Sequence, residues 1–344
     1  MSARDLSVII SVIMIVAMLI IPIPTWLLSI LILCNISLAL IVLLTTMNMK
    51  EPLEFSIFPS LLLLLTLFRL GLNVSTTRAI LTHGDAGDVV KTFGTFVVGG
   101  NILVGMVVFL ILIIIQFIVI TKGSERVSEV AARFTLDAMP GKQMSIDADL
   151  NAGLISDKEA RERREKISNE ADFYGSMDGA SKFVKGDAIA GIIIVLINLI
   201  FGMIIGVTQL ELSFVEAATR FSLLTVGDGI VTQVPALLVS TATGIVVTRA
   251  ASNGNLGSDI TSQLFAYPKM MYITGGTILV LGLVTPINDL YTIPLAAVLI
   301  IGGYLINRKP VQDEEELQEM EEELHTDEMK SPESVVNLLS VDPI

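Results

Sequence analysis

The sequence predicts an all-α polytopic membrane protein of about eight transmembrane helices, with a cytoplasmic loop domain between spans four and five and both termini cytoplasmic. Three observations carry that expectation. The 344 residues are 52% hydrophobic and only 17% charged, with a mean hydropathy of +0.73. That is too little charge to cover a soluble protein of this size, which argues against a soluble enzyme. The apolar residues gather into runs of about 20, the helical length that crosses a hydrocarbon core. Lysine and arginine collect on alternate connections, as the positive-inside rule requires.

The first apolar run covers residues 6–47 and is interrupted by Pro22 and Pro24. Proline breaks the helical ladder, so the run reads as a hairpin of spans 6–21 and 26–47. A cleaved signal peptide, with Arg4 as its basic flank, is the rival reading. It lacks a small-x-small cleavage site, and the hydrophobicity continues well past a signal core. Further spans are 58–80, 93–121, 187–207, 230–249, 270–285 and 291–306, the seventh being short for a crossing. If each crosses, Arg4, Lys50, the 122–185 loop, Arg249 with Lys269, and Arg308 with Lys309 share one side. Trp26, Arg78 with Lys91, Arg220 and the 286–290 turn share the other. The richer side is the cytoplasmic one.

Four regions follow: membrane helices in 1–121, a cytoplasmic loop domain in 122–186, further membrane helices in 187–308, and an acidic linker in 309–344. In the loop, Ser156 and Glu159 have capping-box spacing and predict one helix through Lys166. The net charge is -13. From Pro310 onward there are twelve acids and one lysine, so -11 of the total lies in the tail and the remainder is nearly neutral. That argues against nucleic acid as a partner. Residues 313–323 lack an apolar stripe and read as a solvated linker or a lone polar helix. The apolar patch at 334–341 cannot bury itself, which points to a missing C-terminal cytoplasmic domain.

Several chemistries find no support. Cys34 is the single cysteine, and His83 and His325 are far apart, so neither a disulfide within the chain nor a histidine metal site is expected. No metal or cofactor is expected. The glycine and lysine at 141 and 142 lack the rest of a phosphate loop. Asp147, Asp149 and Asn151 begin like a calcium loop, but Gly153 is one place late and Lys158 stands where glutamate is needed. The glycosylation sequons at Asn35 and Asn73 lie in apolar spans.

Polar residues at membrane depth are more informative. Arg69, Asn73, Thr76 and Thr77 form one stripe on span three. Arginine there is costly unless it faces protein, water or a carboxylate, so Arg69 is placed in the interior and Arg78 at the interface. Asp228 stands between Gly227 and Gly229, a pattern that favours a break in the helix. Gln233, Ser240, Thr241, Gly244 and Thr248 then share a face that suits either a water-lined path or helix packing, as Gly202 and Gly206 suit packing. At the mouth of span five, Asp187 follows Asp178, Lys182 and Lys185. It reads either as a helix cap or as a carboxylate whose protonation answers to its surroundings.

One stretch goes beyond generic inference: RVSEVAARFTLDAMPGKQMSIDAD over 126–149. It closely resembles the signature of the FHIPEP family, the large membrane subunits of flagellar and injectisome type III export gates. RLGLNVSTTR over 69–78, EADFYGSMDGASKF over 170–183 and LLTVGDG over 223–229 add to the resemblance, which runs from the first span to about Arg308. The resemblance implies a homo-oligomeric ring, commonly of nine subunits, in the bacterial cytoplasmic membrane at the flagellar basal body. The ring surrounds a core export channel, works with a separate export ATPase, and uses the proton motive force to pass proteins outward. The family's C-terminal domain, beyond Ile344, docks substrate–chaperone complexes. Residues the family implicates in coupling fall on Arg126, Arg133, Asp137, Lys182, Asp187 and Asp228. The chain is therefore expected to be a non-enzymatic, proton-coupled part of an export gate, with Arg69, Asn73 and Gln233 as membrane-embedded polar groups. A secondary transporter and a passive ring scaffold are the alternatives. The transporter predicts two similar halves, and no convincing internal repeat is visible.

Overall fold

The computed structural model describes residues 3–249, 254–285 and 289–307, which are helical with no strand among them. Two compact units divide after Leu256. The first contains α1 (Ala3–Ile20), α2 (Thr25–Asn48), a 3-10 turn (Pro52–Phe55), α3 (Phe58–His83), α4 (Asp88–Val98) and α5 (Ile102–Ile115). It continues through a π-helical segment (Gln116–Thr121) into α6 (Lys122–Asn151), α7 (Asp157–Thr208) and α8 (Phe214–Thr248). The second comprises most of α9 (Leu256–Leu264), α10 (Pro268–Val284) and α11 (Asp289–Asn307).

The helix break expected at the prolines is present: α1 ends at Ile20 and Pro24 is the N-cap of α2, in extended geometry. The single span expected at 93–121 is corrected. Gly99 and Gly100 take φ of +54° and +85°, conformations that glycine adopts without steric cost. The Asn101 side chain then caps α5, accepting from the N–H of Leu103 at 3.1 Å and of Val104 at 3.3 Å. The result is a separate short α4, packed on α8.

The loop at 122–186 holds two helices where the sequence predicted one. α6 and α7 form a long antiparallel hairpin, and both 121/122 and 186/187 fall inside continuous helix. Ser156 caps α7 by accepting from the Glu159 N–H at 3.2 Å. Ion pairs fix the register: Arg164 with Asp147, Arg163 with Asp149, Lys142 with Glu170, and Lys185 with Glu125. The two aspartates of the calcium-like stretch are thus partners of arginines.

α8 is the hub of the first unit, packing on α2, α3, α4, α5, α6 and α7. Its start is a full capping box between Ser213 and Glu216. The expected break at Gly227–Gly229 is absent, because α8 runs unbroken through Asp228. These glycines permit close approach instead. A Cβ at Gly227 would lie 2.1 Å from the Val90 carbonyl oxygen of α4, and one at Gly229 would lie 2.2 Å from the Phe109 ring of α5. Gly94 on α4 reciprocates, 2.4 Å from the Leu223 carbonyl oxygen by the same measure. Gly202 and Gly206 of α7 seat Phe221, as the packing reading expected.

Among the described residues, six helical stretches are long and apolar enough to cross a membrane, or seven if α9 and α10, bent by 71°, form one span. Eight were expected from the sequence. α1 supplies a shorter apolar stretch, Ile9–Ile20. Apolar side chains such as Leu103 on α5 and Ile193, Leu196, Ile200 and Ile204 on α7 point outward, as a lipid-facing surface requires. In the second unit α10 meets α11 closely, Gly275 against Ile300 and Gly282 against Thr292. The acidic linker, its apolar end, Arg308, Lys309 and His325 lie outside the described residues, as do 286–288.

Candidate functional site

The site grows from three helices that each carry a polar residue into an apolar interior. On α3, Arg69, Asn73 and Thr76 are buried on one side, at 4%, 3% and 2% exposure. α7 contributes Asp187, at 5%. The Arg69 guanidinium donates through Nη2 to Asp187 Oδ2, forming a buried ion pair. Two charges withdrawn from water this completely persist only as a pair, since either one alone would carry a desolvation cost of several kcal/mol. Asp187 is therefore no helix cap. It lies far inside α7, and the neighbouring lysines pair elsewhere, Lys182 with Asp178 at 2.6 Å and Lys185 with Glu125 at 2.9 Å.

α8 contributes Asp228, at 3% exposure. Its Oδ2 accepts from Asn198 Nδ2 of α7 at 3.1 Å. One turn on, Thr232 Oγ1 reaches Asn73 Oδ1 at 2.9 Å and the Asp228 carbonyl oxygen at 2.8 Å, which ties α3 to α8. Arg69 Nε, Asp187 Oδ1 and Asp228 Oδ1 are buried without a protein partner.

These groups surround one cavity. Arg69, Asn73, Asp187, Asp228, Thr232 and Gln233 line it, with an apolar wall that includes Ile192 and Val195. Its volume is about 50 Å³. A water centre needs roughly 10–15 Å³ and two to four polar partners, so the cavity can hold a few waters beside both carboxylates. Gln116 and Phe117, the first residues of the π-helical segment, close another side. Single π turns of this kind recur at functional positions because they re-aim side chains within a helix. Chemically, the arrangement can hold one fixed cation against two carboxylates and can transfer protons through water.

Of the residues singled out in the sequence, Arg69, Asn73, Asp187, Asp228 and Gln233 come together here. The others do not. Arg126 pairs with Glu129 and Arg133 with Asp137, all along α6 and largely exposed, with Arg133 at 81% and Asp137 at 70%. Lys182, with Asp178, is also on the exposed hairpin. The face following Gln233 divides: Ser240 is buried and its carbonyl accepts from Ser124, while Thr241 and Thr248 are exposed. Arg78 donates to the carbonyls of Leu19 and Ile20, both at 2.8 Å, and so closes the end of α1. Sequence reasoning missed Asn198, Thr232 and Gln116. Asn198 carried a signal, as a lone amide inside an apolar run.

A helical membrane protein with an ion pair and a second carboxylate buried around a polar cavity belongs to the class that carries ionisable groups inside its helix bundle. Within that class, the chain belongs to the FHIPEP family, whose model matches residues 15–344. It is 73% identical over 344 residues to the flagellar biosynthesis protein FlhA of Bacillus subtilis, covering 100% of this chain and 51% of that protein. It is 51% identical over 320 residues to the low calcium response locus protein D of Yersinia pestis, covering 92% of this chain and 46% of that one. With FlhA of Salmonella typhimurium the identity is 49% over 310 residues, 88% of this chain and 45% of the relative. The chain thus spans about half the length of the curated relatives it matches. No solved structure matches it.

Proposed function

We propose that this chain is the membrane half of a flagellar type III export component and couples the proton motive force to protein export. The observation that carries the reading is the convergence of Arg69, Asp187 and Asp228 on one cavity between α3, α7 and α8. Protonation of Asp187 removes the charge that holds Arg69. One charge moving through 100 mV supplies about 2.3 kcal/mol. Breaking a buried ion pair costs about 3–5 kcal/mol, so a proton delivered by an ordinary membrane potential is of the right order to open this one. It is far too little to unfold cargo in a single step, so coupling requires repeated steps or several subunits.

In this reading the chain works as a homo-oligomeric ring, commonly nine-membered, in the bacterial cytoplasmic membrane. It surrounds the core export channel and acts with the export ATPase. Substrate–chaperone docking belongs to the further length that the relatives possess. The exposed charges of the α6–α7 hairpin, Arg126, Arg133, Asp137 and Lys182, exchange ion-pair partners as the hairpin responds to the buried pair. The transporter alternative loses its main support, since α8 is not broken at Asp228. The test is Asp187→Asn with export and ring assembly measured on the same cells. Loss of export from intact rings is the expected result; normal export from intact rings removes Asp187 from the mechanism.

A further inference from the structure

Asn198 is a buried polar residue that the ion pair and the cavity leave unexplained. It is fully buried in the apolar part of α7, and it is absent from the cavity lining. An amide in such surroundings is costly unless it is hydrogen-bonded. Its Nδ2 donates to Asp228 Oδ2 at 3.1 Å, while its Oδ1 has no protein partner. A donor aimed at a carboxylate favours the charged form. A primary amide also carries an acceptor, and rotation about its last torsion exchanges the two.

We propose that Asn198 is a positioning residue that serves both protonation states of Asp228. The amide donates to the carboxylate, and after turning over it accepts from the carboxylic acid. Uptake of one proton by Asp228 then replaces the N–H···O bond with an O–H···O bond, and release restores the first. Neither state leaves the buried carboxyl unbonded. This rests on the reading of Asp228 as a group that gains and loses a proton.

The charged groups sharing the cavity with Asp228 are Arg69 on α3 and Asp187 on α7. On the other elements packed against α8, Cys34 of α2 and Asp88 and Lys91 of α4 are exposed, α5 has no ionisable side chain, and Glu125 of α6 is paired with Lys185.

The competing view is that Asn198 is polar glue between α7 and α8. Infrared titration of the full chain in lipid nanodiscs separates the two, the Asp228 band being identified by its loss in Asp228→Asn. In Asn198→Leu the protonated Asp228 carboxyl loses its acceptor, so its C=O band should move to higher frequency, as for an acid left unbonded, whereas glue that bonds only the carboxylate leaves that band where it was. Asn198→Thr, which keeps a hydroxyl, should fall between that variant and the unmutated protein and covers the case in which the leucine variant fails to fold. An unchanged band frequency in a folded variant overturns the proposal. Export in Asp228→Asn is scored separately: normal export there defeats the coupling reading, whatever the band does.

Discussion

At the scale of single residues, the Arg69–Asp187 pair is the most consequential contact. Its two side chains are 4% and 3% exposed. Removing one partner strands the other, so Arg69→Met alone should destabilise the protein by about 3–5 kcal/mol. The double variant Arg69→Met with Asp187→Leu should recover most of that loss, because no charge is left buried. Denaturant unfolding in mild detergent measures both, and equal losses in the single and double variants would show that the pair is not the source. A second residue gives a pH signature. Partial burial alone would push the Asp85 carboxyl up, but the Gly87 N–H at 3.0 Å and the Lys91 ammonium at 3.1 Å hold it below the usual carboxylate range. A carboxyl held low in the folded state adds stability above its unfolded value of about 4, and that addition is lost as pH falls through the folded value. Asp85→Asn should therefore lower the unfolding midpoint at neutral pH and leave it little changed at strongly acidic pH. Arg69 and Asp228 were legible in the sequence because a charge in an apolar run needs a reason. Their partners were less legible: the contacts of Arg69 with Asp187 and of Asp228 with Asn198 join residues far apart in the chain.

Among the elements, α8 shows where local signals mislead. Glycines flanking an aspartate are compatible with a broken helix, yet a helix tolerates them when another backbone must come near. At Gly227 the neighbour is the Val90 carbonyl, 2.1 Å from an added Cβ. Backbone cannot yield as a flexible side chain can, so Gly227→Ala should separate α4 from α8 and lower stability by about 1–3 kcal/mol. Gly99→Ala meets nothing within 4 Å and is strained only by its φ of +54°, so it should cost about 1 kcal/mol. Thermal unfolding of the two variants side by side checks the order; an equal loss would mean that the α4–α8 contact is looser than this geometry. The α4–α5 break has the opposite history. Two adjacent glycines and a capping asparagine were present in the sequence, but the apolar residues on both sides read as one span. Hydrophobicity reports burial and length, and it does not report a turn made by two left-handed residues. The hairpin was under-read for a related reason. α6 carries Pro140 and Gly141 inside it, residues that read as a loop, and its pairing with α7 is visible only in the fold.

For the molecule as a whole, the helical membrane class followed from composition and from the length of the apolar runs, while the eight spans expected exceed the six or seven found among the described residues. Orientation rests on charge distribution and is open to direct measurement. With Cys34 replaced by alanine, Leu154→Cys at the exposed tip of the hairpin should react with a membrane-impermeant maleimide only when the cytoplasmic face is accessible. Labelling from the outside of intact cells would invert the topology. The hairpin also has a mechanical meaning that follows from α7 being one unbroken rod of 52 residues. Phe173, Met177 and Ala180 pack that rod into the core, so at 1.5 Å per residue the arm that projects from Phe173 to the tip is about 24 Å long. With that packed seam as fulcrum, a tilt of about 5° sweeps the far end through about 2 Å, enough to part a hydrogen bond at the tip.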